Sequence, residues 1–103
     1  MKGGLGGLIK QAQVMKLKLD QLKERLAGED YSASAGEEGC SVHVTVSGRQ
    51  QVRRLQVDPA AAADPALLED LLLTALNRAL DESRAKAERE MSALTGGVQF
   101  PGL

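Results

Sequence analysis

The chain has 103 residues, which is enough for one small domain and too few for two ordinary ones. It has no Trp, one Tyr, one Phe and a single cysteine, so the core must use Leu, Val and Ala, and an intramolecular disulfide is excluded. No apolar run approaches the roughly 20 residues that a membrane span needs. The formal charge of −1 excludes a uniformly basic protein. These properties predict a single cytoplasmic domain over residues 1–103.

The first predicted element is a helix over residues 5–27. Its apolar residues recur at alternating intervals of three and four, an a/d heptad pattern held over more than three heptads. At about 1.5 Å per residue such a helix is roughly 34 Å long, and Gly28 follows it where a left-handed C-terminal cap is expected. A small sheet cannot cover so long a seam, so we expect a second copy of the chain to pack against it. The seam consists of Leu5, Leu8, Ala12, Met15, Leu19, Leu22 and Leu26.

Residues 30–58 predict a three-stranded antiparallel sheet. Ser, Gly and Glu interrupt short runs in which apolar and polar residues alternate, which is the pattern of strands joined by turns. The first strand lies near residues 31–35, and Leu55 and Val57 share one face of the third. The second strand alternates most clearly, and its inward residues are expected in the core or in a dimer interface: Cys40, Val42, Val44 and Val46.

The last predicted element is a helix over residues 65–95. Asp64 is a suitable N-cap, Pro65 fits the first helical position, and a Gly-Gly pair opens a tail over residues 96–103. The four alanines of residues 60–63 are assigned to no element. The predicted fold class is therefore α+β in the order α-β-β-β-α, with a three-stranded antiparallel sheet flanked by two long helices. The last helix has an apolar stripe that comprises Leu68, Leu72, Ala75, Leu76 and Ala79.

No constellation of residues predicts catalysis, a metal site or a cofactor. The glycine cluster over residues 3–7 follows no strand and lacks the Lys-Ser/Thr pair of a phosphate-binding loop, so an arm leading into the helix is the simpler interpretation. His43 is the only histidine and stands alone on the polar side of its strand. Cys40 is in register with the inward valines, as a core residue would be. We therefore expect neither an enzyme nor a small-molecule substrate.

The positive charge is concentrated at one end of the chain. Residues 1–27 carry a net charge of +4, whereas residues 28–64 and 65–103 carry −3 and −2. Several of the cations flank the apolar seam, where long Lys side chains commonly keep a coiled coil soluble. Acids that could pair with them are scarce within the helix, which favours contacts with DNA phosphates. The predicted DNA-binding residues are Lys2, Lys10, Lys16, Lys18, Lys23 and Arg25.

Arg49, Arg53 and Arg54 add a second basic group on the hairpin. Arg54 is expected to face water, whereas alternation places Arg53 partly on the inner face of the sheet, where it would need an acidic partner. The cations of the last helix stand among acids and are expected to form surface ion pairs. They are Arg78, Arg84, Lys86 and Arg89.

Several short strings occur along the chain in a distinctive order and spacing. They are GLG at residues 4–6, LIKQAQ at 8–13, VHVTVSG at 42–48, VRRLQVDP at 52–59, LEDL at 68–71, ALNRA at 75–79, and a closing stretch from MS at 91–92 to GGVQFPG at 96–102. Together they resemble the YbaB/EbfC family of nucleoid-associated proteins over nearly the whole chain. His43 departs from the family pattern, because a Lys is often found there.

The resemblance implies a homodimer shaped like tweezers, in which the sheets join the subunits and the helices project as arms. It also implies binding of double-stranded DNA with little sequence preference, a place on the bacterial nucleoid, and a role in chromosome organisation or gene regulation. The DNA contacts of the family are attributed to its helical arms. In this chain that implies first Lys2, Lys10, Lys16, Lys18 and Lys23.

A second interpretation is a coiled-coil protein-interaction module or a small prefoldin-like chaperone. Such a protein presents apolar rather than basic side chains on the inner surfaces of its arms. Leu17, which lies off the main seam, and Val98 and Phe100 in the tail favour this interpretation. A failure to bind any DNA, together with suppression of client aggregation, would distinguish it from a DNA-binding protein.

Overall fold

The computed structural model of the chain describes residues 5–96. Its elements follow the predicted order α-β-β-β-α, which confirms the α+β fold class, and one short helix is added after the sheet. No helix within the described residues combines the length and the apolar character of a membrane span. The elements are α1 (Leu5–Ala27), β1 (Asp30–Glu37), β2 (Cys40–Ser47), β3 (Val52–Val57), α2 (Pro59–Ala62) and α3 (Pro65–Thr95).

Local hydrogen bonds explain where the long helices begin and end. The Asp64 carboxylate accepts a hydrogen bond from the Leu67 amide at 3.2 Å, which confirms Asp64 as the N-cap of α3. Gly96 follows α3 in the left-handed conformation, with a φ of 64°. Gly28 is not left-handed, so the cap predicted for α1 is wrong. The Gly28 amide instead donates to the Arg25 carbonyl at 3.2 Å in a tight last turn.

The alanines after Pro59 form α2, an element that the sequence pattern did not predict. Asp58 precedes it in an extended conformation, and its carbonyl accepts hydrogen bonds from the Ala61 and Ala62 amides at 3.0 Å. Ala61 is completely buried, because α2 packs on β2. A run of identical small apolar residues has no periodicity, so its pattern cannot separate a helix from a loop.

The sheet is antiparallel in the order β1-β2-β3, and a bulge interrupts its third strand. The pairing shifts by one residue between Thr45 and Val46, which leaves Arg53 as the extra residue on β3. The bulge turns this side chain to the polar face, where its Nε lies 3.3 Å from Asp30 Oδ1. The expected inner position of Arg53 is therefore wrong, although the side chain does have an acidic partner.

The core lies between one face of the sheet and α3. Val42, Val44 and Val46 of β2 are almost completely buried, and they cluster with Ala75 and Ala79 of α3. Alanines on the helix allow its backbone to approach the branched valines closely, which gives dense packing without aromatic side chains. α3 lies across β1 and β2 and makes hardly any contact with β3. Val57 packs at the edge of the core, whereas Val52 and Leu55 on the same inward side of β3 are left about half exposed.

α1 packs along the C-terminal part of α3 over only part of its length. Leu19, Leu22 and Leu26 are buried in this contact, whereas Leu8 is 64% exposed. The molecule is elongated, with principal extents of 72 × 19 × 19 Å. The N-terminal half of α1 is therefore a projecting arm, and the name arm is used below for residues 5–18.

Gly48 lies where the β2–β3 turn meets the base of α1. Its amide donates to the Glu29 carbonyl at 3.0 Å. A Cβ at this position would overlap the carbonyl of Leu26 and crowd the Cα of Ala27. These are backbone atoms, which cannot rotate away as a side chain could. The absence of a side chain at Gly48 therefore lets the sheet touch α1.

We predict that Gly48→Ala lowers the free energy of unfolding by about 1–3 kcal/mol, the usual cost of overpacking. Denaturant titration measures the difference. Gly6→Ala is the matched control, because a Cβ at Gly6 meets no atom within 4 Å. Alanine there should leave the stability unchanged or raise it slightly, since it favours the helix. If Gly48→Ala were as stable as the parent, the close approach would not constrain the fold.

Candidate nucleic-acid interface

A charged cluster fixes the base of α1. The Glu29 carboxylate accepts a hydrogen bond from the Tyr31 hydroxyl at 3.0 Å and contacts Arg25 at 3.1 Å and Lys86 at 3.5 Å. Arg25 also reaches Glu90 of α3 at 3.7 Å. The Tyr31 hydroxyl and the two cations hold the pKa of Glu29 below its ordinary value of 4.5. Burial, and then the bond to Glu29, raise the pKa of Tyr31.

Arg25 is therefore held between two carboxylates at the inner end of α1. Both lie outside the helix: Glu29 follows it in the chain, and Glu90 belongs to α3. A phosphate that approached Arg25 would have to compete with both. Of the described residues predicted to bind DNA, Arg25 is the one most engaged within the chain.

The lysines of α1 are exposed along the whole helix. Lys16 pairs with Asp20 at 3.5 Å, but both side chains are more than half exposed, and such pairs are weak. Among the described residues, no carboxylate pairs with Lys10, Lys18 or Lys23. The helix rises by about 20 Å from Lys10 to Lys23. These cations are spread along an extended rod, as contacts with successive phosphates require.

The apolar seam predicted for α1 divides into two parts. Leu19 and Leu22 are buried where the helix packs along α3. Met15 is half-buried, and Leu8 and Ala12 are exposed on the arm. The α3 helix of the same chain therefore covers the inner part of the seam, and the outer part remains open.

The other predicted site residues lie in two places. Val42, Val44 and Val46 form the core of this chain beneath its own α3. Lys2 and the side chain of Leu5 lie outside the described residues.

Arg49 and Arg54 of the hairpin are further exposed cations outside α1. Arg49 follows Gly48, and Gly48 contacts the backbone at the base of α1, so the β2–β3 turn brings a positive charge to that end of the helix. Arg54 is exposed on the polar face of the sheet, opposite Thr45. Alternation identified Arg54 as solvent-facing, but no sequence signal placed Arg49 near the base of α1.

The cations of α3 have different partners. Arg84 pairs with Asp81 at 3.0 Å, as expected for a helix surface. Lys86 pairs with Glu29 outside the helix. Arg78 donates a hydrogen bond to the backbone carbonyl of Ser34 at 3.0 Å and pairs with no described carboxylate, so its predicted role is wrong.

A serine, a histidine and a carboxylate meet on the polar face of the sheet without forming a catalytic triad. The Ser41 hydroxyl donates to Asp58 Oδ2 at 2.9 Å, and the Ser41 amide donates to the same oxygen at 3.0 Å. His43 Nε2 lies 3.0 Å from Ser41 Oγ. In a triad the histidine stands between the nucleophile and the carboxylate. Here the serine stands in the middle and its hydroxyl donates a hydrogen bond to Asp58, so the group joins β2 to the end of β3.

Metal-ligating side chains are dispersed among the described residues. These residues contain no cluster of three or more His, Cys, Asp or Glu side chains placed to hold a metal ion. The exposed lysines of α1 remain the constellation with a clear chemical use, which is to neutralise a polyanion.

The pattern of the whole chain matches a known family. A model of the YbaB/EbfC DNA-binding family covers residues 1–98, which include α1, the sheet and α3. The chain belongs to the YbaB/EbfC family. The resemblance found in the sequence strings is thereby confirmed. This is a family of DNA-binding proteins and not a family of enzymes.

Relatives of this YbaB/EbfC chain match it over nearly its full length. A nucleoid-associated protein of Polynucleobacter necessarius subsp. necessarius (strain STIR1) is 41% identical over 101 residues, covering 98% of this chain and 92% of the relative. A nucleoid-associated protein of Anaeromyxobacter sp. (strain Fw109-5) is 41% identical over 98 residues, covering 93% of each. The crystal structure of an uncharacterized protein from Helicobacter pylori has a TM-score of 0.72 and 22% identity, covering 92% of this chain and 97% of its own. That likeness shows a shared fold.

We predict that the Asp58 contacts make stability depend on pH. The bonds from the Ser41 amide and hydroxyl hold the pKa of Asp58 below its ordinary value of 3.8. A carboxyl whose pKa is lower in the folded state stabilises the fold above its unfolded pKa, and this stabilisation is lost as the pH falls through the folded pKa. The parent should therefore lose stability more steeply than Asp58→Asn as the pH falls from about 5 to 3.

Thermal unfolding at several pH values measures this difference. Asp70→Asn is the control. Asp70 is an exposed residue of α3, and it lacks the two hydrogen bonds that Ser41 donates to Asp58. It should keep the pH dependence of the parent. Parallel curves for the parent and Asp58→Asn would contradict the proposed role of the ionised Asp58 carboxylate.

Proposed function

We propose that the chain binds double-stranded DNA as a homodimer, through phosphate contacts from the lysines of α1. The observation that carries this proposal is that Lys10, Lys18 and Lys23 of α1 are exposed and pair with no described carboxylate, together with membership of a DNA-binding family. The relatives named as nucleoid-associated proteins support a place on the bacterial nucleoid, with a role in chromosome organisation or gene regulation.

Phosphate binding by the lysines of α1 is compatible with a net charge of −1 for the whole chain. Electrostatic attraction to DNA depends on where the cations lie, because charges more than about 10 Å apart are largely screened at moderate salt. The acids of α3 are distributed over the body of the molecule, whereas the arm carries Lys10, Lys16 and Lys18 and no acid. The arm can therefore approach a phosphate backbone that the body would repel.

The same geometry supports binding with little sequence preference. Lysines contact phosphates as point charges, and phosphate contacts carry no direct sequence information. The cations of α1 flank an apolar seam instead of forming one polar face that could enter a groove and read base edges. We therefore propose that backbone contacts dominate.

An uncovered apolar surface supports the homodimer. Val52 and Leu55 of β3 are about half exposed, although their pairing with β2 puts them on the core side of the sheet. Leu73 of α3 is 62% exposed, and Leu76 and Leu80 lie on the same flank of that helix at i+3 and i+7. Large apolar side chains that are exposed in groups mark interaction sites. A second copy related by a two-fold axis would cover both surfaces at once.

We predict that the double variant Lys10→Gln/Lys18→Gln binds every duplex more weakly than the parent. For each phosphate that is no longer neutralised, the slope of log affinity against log salt should also fall in magnitude by about 0.9. A DNA titration at several salt concentrations, with one defined and one random duplex, measures both effects. Arg84→Gln/Arg89→Gln is the charge-matched control on α3 and should keep the parental slope.

An unchanged salt slope in the lysine variant would assign DNA binding to another surface, for which Arg49 and Arg54 are the next candidates. A parent protein that shifts no DNA would favour the second candidate function, a chaperone or protein-interaction module. Ile9, Val14 and Leu17 support that function, because they are exposed on the arm away from the seam. Suppression of client aggregation that is abolished in Leu17→Gln would establish it.

We predict that Leu55→Glu converts the homodimer into a monomer. The new carboxylate would be buried against apolar side chains of the second copy, where an unpaired charge is strongly unfavourable. Light scattering after size-exclusion chromatography measures the mass. Gln56→Glu is the matched control, because Gln56 is next to Leu55 in β3 and its side chain lies on the polar face of the sheet. If Leu55→Glu had the parental mass, the β3 surface would not form the dimer.

A further inference from the structure

The two edges of the sheet have different surroundings. An edge strand presents unpaired backbone groups, which are a template for pairing with another chain. At the β1 edge, a side chain from α3 already occupies one of these groups: Arg78 Nη1 donates to the Ser34 carbonyl at 3.0 Å. Ser34 lies in the middle of the strand, so this one bond interrupts the row of acceptors that an incoming strand would use.

The flank of α3 beside β1 is rich in charge. Ser32, Ala33 and Ser34 of β1 share a shallow groove with this flank of the helix. An approaching strand would have to displace the guanidinium and remove water from two carboxylates, which is costly without new partners. The α3 residues in the groove are Arg78, Asp81, Glu82, Ala85 and Arg89.

The sequence of β1 gives it little protection of its own. A free edge is commonly protected by a proline, a central lysine or a bulge. β1 has none of these, and its charged residues, Asp30 and Glu37, stand only at its two ends. It pairs with β2 along its full length without a register shift. The middle of this eight-residue strand would therefore be open to pairing if nothing from α3 covered it.

The β3 edge has no such cover. Among the described residues, no side chain donates a hydrogen bond to a carbonyl of β3. The bulge at Arg53 interrupts β3. Val52 and Leu55, which lie on the inward side of β3, are about half exposed. The flank of α3 that faces away from the β1 groove carries Leu73, Leu76 and Leu80, with Glu69 at its N-terminal end. The two edges thus differ in backbone cover and in the polarity of the adjacent helix flank.

We propose that Arg78 closes the β1 edge of the sheet and so prevents further copies of this chain from pairing there. The inference goes beyond the proposed function, which concerns the arm and the opposite side of the sheet, and it does not depend on DNA binding. Arg78 acts here as a guanidinium that reaches from a helix around the margin of the sheet to a strand carbonyl.

The test is the mass of Arg78→Ala across a range of protein concentrations. We expect its weight-average mass to rise by about twofold or more over the parent at high concentration, because each new edge contact joins two particles. Arg89→Ala is the matched control: it removes a guanidinium from the same groove but no hydrogen bond to the strand. It should keep the parental mass. Arg78→Lys retains a donor and a charge and should restore most of the closure.

A second background separates this inference from the proposed dimer. Leu55→Glu blocks association through β3, so any mass gained by Leu55→Glu/Arg78→Ala over Leu55→Glu alone must come from another surface. Hydrogen exchange then identifies that surface, since edge pairing should slow exchange of β1 amides such as those of Ser32 and Ser34. If the parent is itself a monomer, the dimer proposal fails while the comparison of Arg78→Ala with its parent still tests the closure.

Two results would overturn the inference. One is an Arg78→Ala protein with the parental mass at every concentration. The other is a larger particle in which the β1 amides exchange as fast as in the parent, because association would then involve a different part of the chain. Thermal unfolding of each variant is measured alongside its mass. A larger particle formed by an unfolded variant counts against the inference, because it does not arise from pairing at β1.

Discussion

The position of α3 on the sheet determines most of what is distinctive in this molecule. Alanines at 75 and 79 rest on the valines of β2, and this contact centres the helix over β1 and β2. A helix about 10 Å wide covers roughly two strands spaced about 4.8 Å apart, so a third strand cannot share the same cover. The small core thus leaves β3 with an exposed apolar face. It also brings the charged flank of α3 to the edge of β1.

The second consequence concerns α1. α3 has 31 residues, far more than the strands beneath it can cover, so its C-terminal part continues beyond the sheet. That part supplies the surface on which Leu19, Leu22 and Leu26 are buried, and it supplies Lys86 and Glu90 to the cluster around Glu29. Gly48 holds the β2–β3 turn against the same region. The base of α1 is therefore fixed from three sides, while the arm beyond it makes few contacts.

This arrangement gives the molecule a rigid body and a cationic rod with different electrostatic properties. Several cations of the body pair with acids outside their own element, as Arg25, Arg53 and Lys86 show. Lysines farther out on α1 have fewer partners because no other described element comes close to them. Net charge is consequently a poor guide to what the protein binds, since the sum over the chain hides a separation in space.

The sequence by itself determined the local elements and the family. Heptad spacing and alternation located both long helices and the three strands, because these periods depend only on helix and strand geometry. They did not reveal α2, whose alanines have no period, or the absence of a left-handed cap at Gly28. The family strings are likewise a property of the sequence, and the match over residues 1–98 confirms them.

Only the tertiary structure decided which predicted side chains are available. Arg25 and Lys18 stand at equivalent heptad positions, yet Arg25 alone contacts Glu29 and Glu90. Leu19 and Leu8 belong to one seam, yet α3 covers the first and leaves the second exposed. The bulge turned Arg53 to the polar face, and Arg78 bonded to a strand instead of an acid. In each case the deciding partner lies on another element, and periodicity along one element carries no information about it.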